Sequence, residues 1–192
     1  MPESYEWALF FHLVGVFLIS GAALASTLVL AFMRRSRNVQ EVRMWANLAV
    51  IVDRIFPFAV AILIIAGIWL VEEGNLSWGD GWINVSLIGL ILMTVFGFLV
   101  ITRKLVAIDT ASADAPDGSI PQVLDAQIHD PVLFAGAHAL TLGVLAIIWN
   151  MTTKPGDAQT GIVLVVAWII GAASAYPMIQ RQQAILEGKR DR

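Results

Sequence analysis

The sequence predicts an all-α protein: an integral membrane helical bundle of five transmembrane helices, N-terminus outside and C-terminus cytoplasmic. Three observations predict it. Charged residues make up only 14% of the 192-residue chain and hydrophobic residues 58%, whereas a soluble domain carries roughly 25% charged residues. Too few charges remain to cover a water-facing surface, and the mean hydropathy is +0.75. Five apolar runs approach the about 20 residues that a bilayer core requires. Finally, Lys and Arg gather in alternate connections, as the positive-inside rule demands.

The first run, Trp7–Met33, follows an N-terminus, MPESYEW, without Lys or Arg. A cleaved signal needs a basic n-region and a short apolar core, so this run reads as a retained span. The second runs from Trp45 to Val71 and contains Asp53, Arg54 and Pro57; a proline there removes a helix hydrogen bond and predicts a kink. The third is Trp82–Ile101, the fourth Pro131–Met151 and the fifth Gly161–Ile179. Small residues at four-residue spacing, Gly21/Ala25 and Gly171/Ala175, suit close helix packing.

Orientation follows from the connections. Arg34, Arg35, Arg37 and Arg43 occupy the first, Arg103 and Lys104 the third, and Arg181, Lys189, Arg190 and Arg192 the tail; Lys154 alone lies on the opposite side. That asymmetry fits an odd number of spans in a bacterial inner (cytoplasmic) membrane. Trp7, Trp69, Trp78, Trp82 and Trp149 fall near outer ends and Trp45 near an inner end, where indoles favour the interface. Trp168 is nearer mid-span and is expected to pack on a neighbouring helix. The connection over 105–130 reads as a cytoplasmic acidic loop with Asp109, Asp114, Asp117, Asp125 and Asp130, in which Ile120–Ile128 suits one short surface helix.

Several function classes are excluded. The absence of cysteine removes disulfides, thiolate catalysis and iron–sulfur clusters. A net charge of −3 argues against nucleic acid. No nucleophile–base pair, phosphate loop or dinucleotide fingerprint is present, so no catalytic residue is expected.

Ionisable residues inside spans raise a functional question, and four stand there: His12, Asp53, Arg54 and His138. His12 has Gly15 on its helix face; His138 sits among Ala135, Gly136, Ala137 and Ala139, with Gly143 beyond. Imidazoles beside small residues leave room for a flat macrocycle, so both are candidate axial ligands of a b-type haem. Depth opposes a simple pairing, because the rise per residue offsets them by roughly 10 Å along the membrane normal. Asp53 is expected roughly 12 Å deep, close to the depth of His138, which makes the two candidate partners. Arg54 then suits an anionic group such as a haem propionate or lipid phosphate, or else reaches to the headgroups. His129 and Asp125, four apart, are too few for a metal site.

The residues Tyr5-x-Trp7 and Phe11-His12-Leu13-Val14-Gly15 resemble the first helix of the membrane-embedded protoporphyrinogen oxidases and the copper-resistance-D-like membrane proteins. In the oxidases that histidine is associated with haem, which carries over to His12 only. Between Ser20 and Met33 there is neither the Arg nor the second His of their pattern, and protoporphyrinogen chemistry is not expected. The segment Asp53-Arg54-Ile55-Phe56-Pro57, then Gly67-Ile68-Trp69-Leu70, Trp82 and Met151-Thr152-Thr153-Lys154-Pro155, resembles an uncharacterised family of predicted bacterial integral membrane proteins over roughly residues 5 to 156. The fifth helix is then an addition.

The functional expectation is a small membrane subunit binding b-type haem or a quinone within the bundle for electron transfer. The alternative is a cofactor-free accessory or scaffold subunit of a larger membrane complex. Expected partners are the lipid bilayer and either other membrane-complex subunits or a second copy in a homo-oligomer.

Overall fold

A computed structural model describes residues 3–177 and 180. Every regular element among them is helical. Helix α1 (Ser4–Met33) is the longest, and its N-terminus is closed by a capping box between Glu3 and Glu6. The second span is two helices, α2 (Val39–Asp53) and α3 (Ile55–Glu73), broken at Arg54. The expected kink is therefore real and lies just before the proline. Pro57 has no N–H to give the Asp53 carbonyl four residues back, and its ring crowds that carbonyl. Asn38 starts α2 by accepting a 2.9 Å hydrogen bond from the Glu41 N–H.

The third span begins with α4 (Gly81–Phe96), continues as a π-helical stretch (Gly97–Thr102) and runs on as α5 (Arg103–Asp114). The expected acidic loop over 105–130 is thus corrected at its start. Leu105, Ile108 and Ser112 recur at helical spacing and bury one face of α5, which packs on α2. Arg43 then holds the turn that follows, donating from Nε to the Ser112 carbonyl, from Nη2 to the Ala115 carbonyl and from Nη1 to Asp117. Helix α6 (Gln122–Ile128) falls within the expected surface helix. Asp130 caps α7 (Pro131–Thr153), and Lys154, in the left-handed conformation, ends it. Helix α8 (Asp157–Ala173) closes the described fold.

Four helical units, Ser4–Met33, Val39–Glu73, Gly81–Asp114 and Gln122–Thr153, are long and apolar enough to cross a bilayer, and α8 is a shorter apolar helix. The end of the expected fifth span, at Met178 and Ile179, and the basic tail lie outside the described residues. The basic residues of the first and third connections share one end of the bundle, where Arg43 meets Asp117 and Lys104 pairs with Asp130. Lys154 is at the other end, over the Trp82 ring, where Trp69 Nε1 also donates to Ser4 Oγ.

Packing sets the shape of the interior. Helix α1 lies along α3 and also touches α2 and α7, while α4 lies against α7 and α8. Helices α3 and α4 barely meet. Two apolar clusters result. One, at the basic end, joins Leu30, Met33, Val39, Leu105 and Ile108. The other joins Ile19, Ala59, Leu63, Leu90, Met93 and Val144, with Trp168 against it as expected. Gly171 fits α8 onto α7, since a Cβ there would collide with the Ala139 backbone, and neighbouring Ala175 is buried. Gly21, by contrast, faces open space.

Candidate functional site: a cavity in the bundle

A cavity of about 310 Å³ lies among α1, the end of α2, α3, α4, the π-helical stretch, the start of α5 and α7. Most of its wall is aliphatic or aromatic, including Ile19, Val60, Leu90, Met93 and Val144. Polar groups enter the wall at few places: Ser26, Asp53, Arg54, Thr94, Thr102 and Thr141. A pocket of this size with few polar groups is typical of small-molecule sites.

Most of these polar groups share one tier. Phe32 and Trp45 stack at 5.1 Å, so Asp53, eight residues farther along α2, is roughly 12 Å deeper and within one turn of Ser26. Thr141 reaches the same level, with its Oγ1 3.2 Å from Thr27 Oγ1. Thr102 Oγ1 donates to Asp53 Oδ2 at 2.8 Å. The π-helical stretch places that hydroxyl: wider turns are uncommon, frequently mark functional positions, and rotate the residues that follow. The break at Arg54 places the carboxylate, because α2 ends there and Asp53 stands at its last turn.

The hydrogen-bond inventory of the cavity's polar groups is uneven. Thr94 and Thr141 donate to their own helix carbonyls, at Leu90 and Ala137, and Thr102 donates to Asp53. Ser26 Oγ is buried without a protein partner. The tier therefore offers one uncommitted hydroxyl and a carboxylate acceptor, and Arg54 also lines the cavity.

Of the four candidates from the sequence, the structure brings Asp53 and Arg54 to this cavity and leaves His12 and His138 away from it. The expected contact between Asp53 and His138 is replaced by other partners. His138 Nδ1 is 2.6 Å from Ser174 Oγ of the segment after α8, and its ring lies 4.0 Å from that of Phe134. His12 sits against α3, with Gly67 beside its imidazole. The room expected beside small residues is already filled, because Leu63 and Ile62 occupy the space at Gly15 and Ile101 and Phe96 that at Gly136.

The two histidines do not fit one bis-imidazole haem. Thr141 is level with Ala23 and Thr27 of α1, and His138 lies three residues farther toward the basic end. About sixteen residues of α1 then separate the levels of His12 and His138, roughly 24 Å at the α-helical rise. The sequence-based offset of roughly 10 Å was too small because it measured each residue from an assumed bilayer boundary. His129 Nδ1 lies near Asp125, at 3.3 Å from its Oδ1, and no cluster of three metal-binding side chains occurs among the described residues.

Sequence reasoning missed Ser26, Thr102 and Thr141. Thr102 precedes Arg103 and Lys104 and reads as the end of a span; the signal that marks it is its place at the end of the π-helical stretch. Residues 7–155 match a family described as predicted integral membrane protein. That range agrees with the expected resemblance over 5 to 156 and leaves α8 outside it. No match is found among curated proteins or among solved structures.

Proposed function

The chain belongs to DUF2269, a family of predicted integral membrane proteins, and on that footing we propose that it is a small membrane subunit binding a quinone-class ligand within its bundle, in the service of electron transfer. The observation that carries this reading is the cavity: apolar walls above a single polar tier at Ser26, Asp53 and Thr102. A quinone ring is flat and apolar except for its oxygens. Ser26 and Arg54 donate to a carbonyl oxygen of the oxidised form, and the Asp53 carboxylate accepts from a hydroxyl of the reduced form. The ring body lies among Val60, Leu90 and Met93. Larger membrane-complex subunits would supply and remove the electrons. Haem is the less suited of the two expected cofactors, since neither histidine lines the cavity.

Titration of the purified protein in lipid nanodiscs with a tail-free benzoquinone tests this. Trp168 packs against the cluster that contains Met93 and Val144, both cavity-lining residues, so bound quinone is expected to quench tryptophan fluorescence saturably. Quenching that rises only linearly with quinone, as in empty-bilayer controls, supports a cofactor-free accessory subunit instead. A Soret band that sharpens on reduction would return the assignment to haem.

A further inference from the structure

We infer that the cavity is loaded sideways from the bilayer, through a gap between α3 and the α4–π segment, so that its ligand carries a long apolar tail that stays in lipid. The inference rests on the quinone-class reading of the cavity and adds the route and the form of the ligand. Four residues both line the cavity and are exposed on the outside of the bundle: Arg54, Pro57, Thr94 and Phe98. Two of them stand at the start of α3 and two on the facing edge of α4 and the π-helical stretch. No other helix contributes an exposed lining residue. Phe98 is 66% exposed although it borders the cavity, which is the position of a lip.

The axial directions are closed. Toward the basic end, Leu30 and Leu105 are each 3% exposed and belong to the cluster packed around α2 and α5. Toward the other end, Leu63, Leu90 and Val144 join α3, α4 and α7 into the second cluster. No lining residue comes from a connection at either membrane surface. Helix α3 leans on α1 and α4 on α7 and α8, which draws the two apart. The gap opens onto apolar surface, with Phe58 at 70% exposure beside it. No exposed lining residue lies at either membrane surface, whereas a molecule dissolved in the bilayer meets the gap directly. At about 310 Å³ the cavity holds a ring headgroup, and a long tail has to leave through the same opening.

Two quinones of one headgroup, tail-free and bearing a long isoprenoid tail, separate the outcomes when affinities in nanodiscs are compared per mole fraction of membrane. The unaltered protein is expected to bind both within about threefold. Thr94→Phe narrows the mouth without removing a headgroup contact, since the Thr94 hydroxyl donates only to the Leu90 carbonyl. It should weaken the tailed quinone at least about tenfold more than the tail-free one. Adding Phe98→Ala reopens the mouth and should restore tailed binding. Failure of the unaltered protein to bind the tailed quinone, with the tail-free one bound, overturns the lateral route and leaves the headgroup site standing. Unchanged tailed binding in Thr94→Phe, or equal weakening of the two quinones, overturns it equally. Absence of binding for both quinones removes the cavity reading itself, and the route with it.

Discussion

Asp53→Asn is expected to weaken binding of the reduced, quinol form about 5- to 30-fold while changing the oxidised form by less than about threefold. Asn keeps the shape of the side chain and an oxygen able to accept from Thr102, which now bonds Asp53 Oδ2 at 2.8 Å. What it loses is the ability to ionise. A hydrogen bond to an ionised acceptor contributes about 1.5–3 kcal/mol and a neutral one about 0.5–1.5. The difference falls on the ligand form that donates, because only the quinol carries hydroxyls. The substituted protein should also hold its melting temperature, since an uncharged amide is cheaper to keep in hydrocarbon than a carboxylate. Binding isotherms for the two redox forms, measured side by side, check it. Equal weakening of both forms would show that Asp53 shapes the cavity and does not contact the ligand.

Gly171→Leu is expected to detach α8 from α7. A side chain at that position starts inside the Ala139 backbone, and backbone cannot rotate away as a side-chain tip can. Overpacking of cores costs about 1–3 kcal/mol, and the upper end applies where the obstacle is main chain. The chain has no cysteine, so a designed pair reports the contact cleanly. His138→Cys with Ser174→Cys uses two side chains that meet at 2.6 Å. Oxidation should cross-link α7 to the segment after α8 in that double variant and fail once Gly171→Leu is added. Cross-linking at the same rate, with an unchanged melting temperature, would show that the close approach is not required.

The spans were legible because hydropathy in a membrane chain is set by the solvent and needs no knowledge of partners. Trp7–Met33 and Pro131–Met151 lie within α1 and α7 for that reason. The acidic connection misled: the charges of Asp109 and Asp114 hide an amphipathic period carried by Leu105, Ile108 and Ser112, and α5 buries that face against α2. At the candidate site, Asp53 and Arg54 announced themselves as ionisable residues in hydrocarbon. Their surroundings did not. Ser26 and Thr141 look like ordinary packing residues until α1, α2 and α7 are set in register. The histidines misled for the same cause. Depth along one helix can be counted, but the level of one helix against another depends on tilt and stagger, which Thr27 and Thr141 fix only in the folded bundle.

The location of a bound headgroup tests the central claim most directly. A quinone carrying a photoreactive group on its ring, irradiated with the protein in nanodiscs, should label segments that contain Ser26, Asp53 or Thr102, with labelling suppressed by excess unmodified quinone. Labelling confined to lipid-facing positions such as Leu24 or Leu145, unaffected by the competitor, would contradict it.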